Sequence, residues 1–149
     1  MRLMNGIVET PVARPGMRVG EALRICVDKS VPGIPFVGGD GRIQGRFSVR
    51  HTFLGETLPP DMIRGAHLIG PAALHLDHPR EHYQRLFERT VDAMILPDAA
   101  CLASDAQITK AMALMEKFNS SYLFVIDDGV YRGVVTRLGL TRLLLEGQA

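Results

Sequence analysis

The sequence predicts an α+β fold made of two copies of one helix–strand–turn–strand unit, with a helical segment between the copies. The block VPGIPFVGGDGRIQGRFS, which starts at Val31, returns as NSSYLFVIDDGVYRGVVT from Asn119. Apolar residues upstream of each block follow the i, i+3, i+4, i+7 spacing of a buried helical face. Each block also holds an Asp-Gly pair between two short apolar runs, which is typical of a β-hairpin turn.

The two copies are related by an offset of 88 residues in the hairpin and 89 residues in the helix. An offset of 88 places Phe36 on Phe124, and Ser48 on Thr136. An offset of 89 matches the apolar faces of the two helices, namely Val19, Ala22, Leu23 and Cys26 with Ile108, Ala111, Met112 and Met115. We expect the loop between helix and hairpin to absorb the one-residue difference.

The first copy is expected to begin with an extended segment at residues 7–13, where Pro11 and Pro15 disfavour helix. A helix over about 19–29 follows. The remaining predicted elements are strands at about 34–37 and 42–47 and a helix over about 49–56.

The second copy repeats this order after an extended segment at about 98–103. Ser104 and Gln107 have the spacing of a capping box, which predicts the start of a helix over about 106–118. Strands at about 122–126 and 131–135 and a helix over about 137–145 complete the copy. Its strands are almost wholly apolar, which is typical of a sheet covered on both faces.

The repeat does not account for the segment between the copies. Pro59-Pro60 predicts a short helix through about His67, and a longer helix is expected over about 80–94. The longer helix carries a stripe formed by Tyr83, Leu86, Phe87 and Thr90. The predicted organisation is a first copy at 1–57, a helical insert at 58–90 and a second copy at 91–149.

Composition and motifs exclude several classes of protein. Seventeen basic and sixteen acidic residues are interspersed, so no basic patch indicates nucleic-acid binding. No apolar stretch has the length of a signal peptide or a membrane span, and we expect a cytoplasmic protein. Cys26 and Cys101 are interpreted as buried thiols rather than a disulfide. Without a nucleophile elbow, a P-loop or a dinucleotide fingerprint, the chain is not expected to be an enzyme.

The ordered set of an apolar helix, IPFV or LFVI, Asp-Gly and Gly-x-x-Ser/Thr occurs twice. This set resembles the CBS domain, named after cystathionine β-synthase, and two copies resemble a CBS pair, or Bateman module. The resemblance implies two repeats packed sheet to sheet about a pseudo-two-fold, two clefts between them, and a homodimer. It further implies a regulator of an unidentified protein partner. The implied ligand is AMP, ADP, ATP, NAD or S-adenosylmethionine, with no required cofactor.

Two hydroxyl residues are the leading ligand candidates. Ser48 and Thr136 each end a strand and precede a helix, where a hydroxyl and free backbone N–H groups favour a phosphate. Helix capping alone is the alternative role for both. Arg50 and Arg137 are close enough in sequence to add charge-assisted hydrogen bonds. The resemblance places the base pocket at Val31 and Pro32 in one copy and at Asn119 and Ser120 in the other.

His51 and Gly139 stand where the family motif has an Asp that holds the ribose hydroxyls. Gly139 offers no side chain, and each lost charged hydrogen bond is expected to weaken binding by about 1–3 kcal/mol. His51 can donate to a ribose or a phosphate in a pH-sensitive contact, or it is simply a helix residue without a ligand role.

Two other functions stay open. The insert carries His67, His75, Asp77, His78 and His82. The i, i+4 spacing of its last two histidines is used in zinc sites, although a solvated cluster is the favoured interpretation. The other alternative is a dimerising scaffold with degenerate clefts. Its contact surface would be the insert and the helix face formed by Leu140, Leu143 and Leu144, residues that core packing explains equally well.

Overall fold

Short helices and strands alternate in two similar units. The computed structural model describes residues 3–70 and 79–147. In chain order the elements are α1 (Val19–Lys29), β1 (Gly33–Val37), β2 (Ile43–Ser48), α2 (Val49–Thr57), α3 (Pro60–Arg64), α4 (Arg80–Glu88), β3 (Cys101–Leu102), α5 (Ile108–Lys117), β4 (Tyr122–Asp127), β5 (Val130–Thr136) and α6 (Arg137–Glu146). Short 3₁₀ turns lie at Met4–Gly6, Ala66–Leu68 and Val91–Met94. None of the helices in these described ranges has the length and hydropathy to cross a membrane.

Each unit contains an antiparallel hairpin flanked by helices. Strands β1 and β2 pair from Gly33↔Ser48, and β4 and β5 pair from Tyr122↔Thr136. Strand β3 adds to β4 in parallel. The two helices that follow the hairpins begin directly after Ser48 and Thr136, so both hydroxyl residues stand at a strand-to-helix junction as predicted.

The extended segment before each unit connects the two hairpins. We call residues 7–13 lead-in one and residues 95–102 lead-in two. Lead-in one pairs with β5 through Val8↔Val134, and lead-in two pairs with β2 through Arg46↔Leu96. The far end of each lead-in pairs in parallel with its own hairpin, at Ala13↔Phe36 and Leu102↔Val125. This reciprocal pairing is what a pseudo-two-fold between the copies requires.

The hydrophobic core extends across the boundary between the copies. Ile34 and Phe36 of β1 share one buried cluster with Tyr122 and Phe124 of β4. A second cluster lies on the other side of β4 and contains the fully buried Leu3 from the N-terminal turn. Because a strand alternates its side chains between two faces, β4 contributes to both clusters. The two copies therefore form one packed unit.

The one-residue difference between the copies lies in the hairpin turn, not in the loop before the strand. Strands β1 and β4 are related by 89 residues and β2 and β5 by 88, because Gly33 and Tyr122 occupy equivalent pairing positions. The first turn, at 39–41, has one residue more than the second turn, at 128–129. Phe36 is consequently equivalent to Val125, and the predicted match of Phe36 with Phe124 was wrong.

The long helix of the insert is shorter than predicted. It ends at Glu88 rather than near residue 94, because the backbone that follows pairs with the start of the first unit. Arg18 and Thr90 form an antiparallel bridge, and the Val91 N–H donates to the Met17 carbonyl at 2.8 Å. Thr90 is exposed and does not belong to the helical stripe, whereas Leu86 is buried.

The capping box and one thiol also depart from expectation. Helix α5 begins at Ile108, and its capping residue Gln107 makes no side-chain cap bond. Ser104 lies in the preceding turn, where its N–H donates to Asp127 Oδ1 at 2.9 Å. Cys101 is exposed, because β3 lies at the edge of its sheet. Only Cys26 is a buried thiol.

Candidate functional site

A cavity of about 550 Å³ lies where β5 passes into α6. Its walls come from the N-terminal residues 5–8, the end of α1, Ser121 and the first turns of α6. The volume is within the range of small-molecule sites, which is roughly 300–1,000 Å³. Both copies contribute walls, because residues 5–8 and α1 precede the first hairpin and α6 follows the second.

Thr136 ends β5, lines the cavity and caps α6. Its Oγ1 accepts a hydrogen bond from the Gly139 N–H at 3.0 Å. A hydroxyl that accepts through its oxygen still has its own proton to donate. The capping role and a donor contact to a ligand oxygen are therefore compatible in Thr136.

Arg137 lines the same cavity, and its side chain is hydrogen-bonded to residues at and just after the end of α5. One guanidinium nitrogen donates to Glu116 Oε2 at 3.1 Å and to the Ser120 carbonyl at 3.3 Å. The ion pair with Glu116 is largely exposed, so it contributes at most about 1 kcal/mol. The remaining guanidinium N–H groups keep their donor capacity.

Two further cationic side chains, which the sequence did not indicate as site residues, also line the cavity. Lys29 ends α1, and Arg142 lies on α6. Both are exposed, and neither forms a salt bridge with any residue in the described ranges. Glu146 is the one carboxylate among the residues that line the cavity. The lining thus has three cationic side chains against one acidic side chain.

The junction in the first copy differs from that in the second. Ser48 precedes α2 and is 6% exposed, but its side chain makes no cap bond. Arg50 and His51 are both exposed. None of these three residues lines the cavity at Thr136. The structure therefore does not bring Ser48, Arg50 and His51 together with Thr136 and Arg137.

The repeat offsets explain this asymmetry. Lys29 is equivalent to Phe118, because Ser30 and Asn119, which follow them, both have left-handed backbone. On α2 the positions equivalent to Arg137 and Arg142 are Val49 and Leu54. The first junction thus has apolar residues at all three cationic positions. Comparing the copies at these offsets is the sequence signal that would have found Lys29 and Arg142.

The predicted base-pocket residues are divided between surface, core and cavity. Val31 is 5% exposed and belongs to the core, while Pro32 lines the Thr136 cavity. Asn119 is exposed, and Ser120 bonds through its Oγ to the Tyr122 carbonyl at 2.8 Å. At the structural offset of 89, Val31-Pro32 corresponds to Ser120-Ser121. The predicted equivalence with Asn119-Ser120 was therefore wrong by one residue, and the sequence analysis missed Ser121.

The metal alternative rests on four histidines and one aspartate of the insert. Within residues 3–70 and 79–147, no group of three or more His, Cys, Asp or Glu side chains could hold a metal ion. His67 and His82 lie in separate elements of the insert. His75, Asp77 and His78 lie outside the described residues, so the predicted cluster stays a prediction.

The leucine face of α6 is part of the core. Leu140 is fully buried, and Leu143 and Leu144 pack against the same cluster. Of the two roles left open for these residues, core packing is the one that the structure supports, and the contact surface is not. A different apolar feature is a groove of about 270 Å³ between α1, α2 and α4, next to Val27, which is 65% exposed.

Comparisons with known proteins agree with the resemblance to the CBS domain. Residues 91–146 match the family model of the CBS domain. No protein of curated function matches the chain significantly. A CBS domain-containing protein from Kribbella flavida is 15% identical with a TM-score of 0.68, covering 97% of this chain and 99% of its own.

Two other solved structures are similar over nearly their whole length. A CBS domain-containing protein from Bacillus anthracis is 17% identical with a TM-score of 0.65, covering 98% of this chain and 94% of its own. The structure of CBSX2 in complex with AMP is 20% identical with a TM-score of 0.66, covering 99% of this chain and 98% of its own. At such identities the likeness shows a shared fold.

Proposed function

Because the chain is a CBS-domain protein with the fold of a CBS pair, we propose that it is a non-enzymatic regulatory module that senses an adenine nucleotide. The cavity at Thr136 carries this proposal, since it combines a hydroxyl at a helix start with cationic side chains. The likeness to AMP-bound CBSX2 supports an adenine nucleotide as the ligand. The proposal retains the division into copies at 1–57 and 91–149 with an insert at 58–90.

In this proposal the phosphate lies at the start of α6. The Thr136 hydroxyl proton and the Arg137 guanidinium provide donors there, whereas the backbone N–H groups of Arg137 and Gly139 are already bonded to Ser121 and Thr136. Pro32 and Ser121, which occupy equivalent positions in the two copies, also line the cavity and would face the base or the ribose. Arg50 and His51 near Ser48 belong to a second, weaker position in the first copy.

Ligand binding would act on the contact between the copies. The cavity is walled by Pro32 from the first copy and Thr136 from the second, so one ligand touches both. A ligand shifts a conformational equilibrium only through unequal contacts in the two states. We propose that the bound nucleotide favours one relative arrangement, which an unidentified protein partner then recognises in the cytoplasm.

A second candidate function is a dimerising scaffold. The observation that favours it is the groove between α1, α2 and α4, which exposes Val27 and is lined by apolar side chains such as Leu23 and Phe53. Homodimer formation is compatible with both functions. Saturable nucleotide binding separates the sensor from a ligand-free scaffold.

A thermal-shift screen with AMP, ADP, ATP, NAD, S-adenosylmethionine and Zn²⁺ tests the proposal, followed by calorimetry on any ligand that stabilises. At a concentration 100 times Kd, a ligand stabilises the native state by about 2.7 kcal/mol. For a chain of this size that corresponds to an increase in Tm of about 5–10 °C. A nucleotide response supports the sensor, no response to any nucleotide favours the scaffold, and a response to Zn²⁺ alone favours the metal alternative.

A gain-of-function variant sharpens the test. Gly139→Asp restores the carboxylate that the family motif uses for the ribose hydroxyls. A Cβ at this position would lie 3.1 Å from Thr136 Oγ1, so the change requires that hydroxyl to shift by a few tenths of an ångström, and the next atom, the Gly6 carbonyl oxygen, is 3.8 Å away. We expect the variant to bind AMP about tenfold more tightly, the gain from one charge-assisted hydrogen bond. His51→Asp in the first copy is the matched control, and it should leave binding at the Thr136 cavity unchanged.

A further inference from the structure

We infer that the Thr136 cavity selects adenine nucleotides with two or three phosphates over AMP and over cationic adenosyl ligands such as S-adenosylmethionine. This inference rests on the proposed function and specifies which ligand class the site takes. Three features of the site carry it: the charge of its lining, the loss of the ribose carboxylate and the absence of equivalent cations in the other copy.

The charge of the lining favours a highly anionic ligand. Lys29, Arg137 and Arg142 line the cavity, and Glu146 is the one carboxylate that opposes them. Arg137 is paired with Glu116, but Lys29 and Arg142 have no salt-bridge partner within the described chain. Each added phosphate brings negative charge to these two cations, and Glu146 is the one carboxylate of the lining that competes for them. A cationic sulfonium ligand meets repulsion at the same place.

The cations are spread along the cavity rather than gathered at one point. Arg142 follows Arg137 by five residues on α6, which is a distance of about 7.5 Å along the helix axis. Lys29 reaches the cavity from a different helix, at the end of α1. A single phosphate at Thr136 cannot occupy all of these positions together. A chain of two or three phosphates extends the anion along the lining.

Recognition of the sugar is correspondingly poor. Gly139 provides no carboxylate, and its N–H is already used by the Thr136 hydroxyl. The donors that remain in this part of the site are the Thr136 proton and guanidinium N–H groups, all of which favour anionic oxygen. The site therefore discriminates through the phosphates more than through the ribose.

The first copy lacks this arrangement. At the junction that follows Ser48, the positions equivalent to Lys29, Arg137 and Arg142 are occupied by Phe118, Val49 and Leu54. Among the residues that the structure describes, the charged site thus occurs once. We expect one polyphosphate ligand per chain, and no second binding event of similar strength at Ser48.

Calorimetry on the full chain with adenosine, AMP, ADP, ATP and S-adenosylmethionine tests the inference. Affinity should rise from AMP to ATP by about tenfold or more, the effect of at least one additional charge-assisted contact. Lys29→Ala and Arg142→Ala should each weaken ATP binding by about tenfold and AMP binding by less than about threefold. Both side chains are exposed, so the variants should fold, and Lys110→Ala is a control that removes an exposed cation on α5.

The outcomes separate this inference from the proposed function. If AMP binds as tightly as ATP, or if the two variants weaken AMP and ATP equally, the selection for polyphosphates is wrong while the sensor function stands. If no nucleotide binds, both are wrong. Ionic strength gives an independent readout, because screening should weaken ATP binding more than AMP binding.

Discussion

The backbone of Val8 crosses directly over Gly133. Val8 and Val134 exchange two backbone hydrogen bonds of 2.9 Å, and a Cβ on Gly133 would overlap the Val8 carbonyl. The same contact recurs in the other copy, where a Cβ on Gly45 would overlap the carbonyl of Leu96. Glycine occupies both positions because each lead-in passes there against the hairpin of the other copy.

Replacing either glycine is therefore expected to loosen the connection between the copies. Gly133→Ala should lower the free energy of unfolding by about 2–4 kcal/mol, because it adds a backbone clash to the strain of a φ of 149°. Gly45→Ala should lower it by about 1–3 kcal/mol through the clash alone. Gly39→Ala meets no atom within 4 Å and should change it by less than about 0.5 kcal/mol. Urea denaturation measures all three, and equal stability of the three variants would contradict the packing described.

A polar contact between the hairpins gives a second prediction. Arg46 donates to the Tyr122 hydroxyl at 2.7 Å, and its side chain is only 20% exposed. Tyr122→Phe should lower the free energy of unfolding by about 1–2 kcal/mol, because it leaves a largely buried guanidinium without one of its acceptors. A double-mutant cycle with Arg46→Met should show that most of this loss depends on Arg46. Additive losses in the cycle would mean that the two side chains do not interact.

Acid sensitivity should originate in part at Asp127. Hydrogen bonds from the Ser104 side chain and backbone N–H hold the pKa of Asp127 below its usual value, with a further contribution from Arg132. A lowered pKa stabilises the native state above the pKa of the unfolded chain, and that stabilisation is lost as the pH falls through the native value. Asp127→Asn should therefore flatten the loss of stability below about pH 4, with an intermediate slope for Ser104→Ala. Unchanged acid denaturation in both variants would contradict this assignment.

The two thiols should differ in reactivity. Cys26 is 2% exposed, and burial raises the pKa of its thiol to about 12. Cys101 is exposed, although desolvation also raises the pKa of its thiol. Because the thiolate is the reactive form, a maleimide should label one thiol per native chain, and Cys101→Ser should abolish that labelling. Labelling of Cys26 at the same rate would show that the first core cluster opens readily.

Much of the fold could be predicted from sequence because the repeat duplicates every local signal. Helix α1 has the predicted limits, and both hairpins form where the Asp-Gly pairs indicated. The errors arise from tertiary pairing. The helix after Arg80 ends early because Thr90 bridges to Arg18, a partner more than seventy residues away in the chain. The lead-in pairings between the copies, Val8 with Val134 and Arg46 with Leu96, also join residues far apart in sequence, so local patterns could not show them.

Only the part of the site that depends on a local motif could be predicted from the sequence. Thr136 and Arg137 follow a local motif, and both line the cavity. Lys29 reaches the cavity only because the two copies pack around a pseudo-two-fold, which brings the end of α1 to the start of α6. The misplaced one-residue offset also hid Ser121, because it shifted the expected base pocket to Asn119 and Ser120.

Calorimetric titration of ATP into the intact protein, with Thr136→Val, Thr136→Ser and Ser48→Ala as a matched set, tests the central claim most directly. We predict saturable binding of one ATP per chain, about tenfold weaker in Thr136→Val, retained in Thr136→Ser and unchanged in Ser48→Ala. The absence of saturable binding, or an equal loss in Thr136→Val and Ser48→Ala, would contradict the assignment of the nucleotide site to the cavity at Thr136.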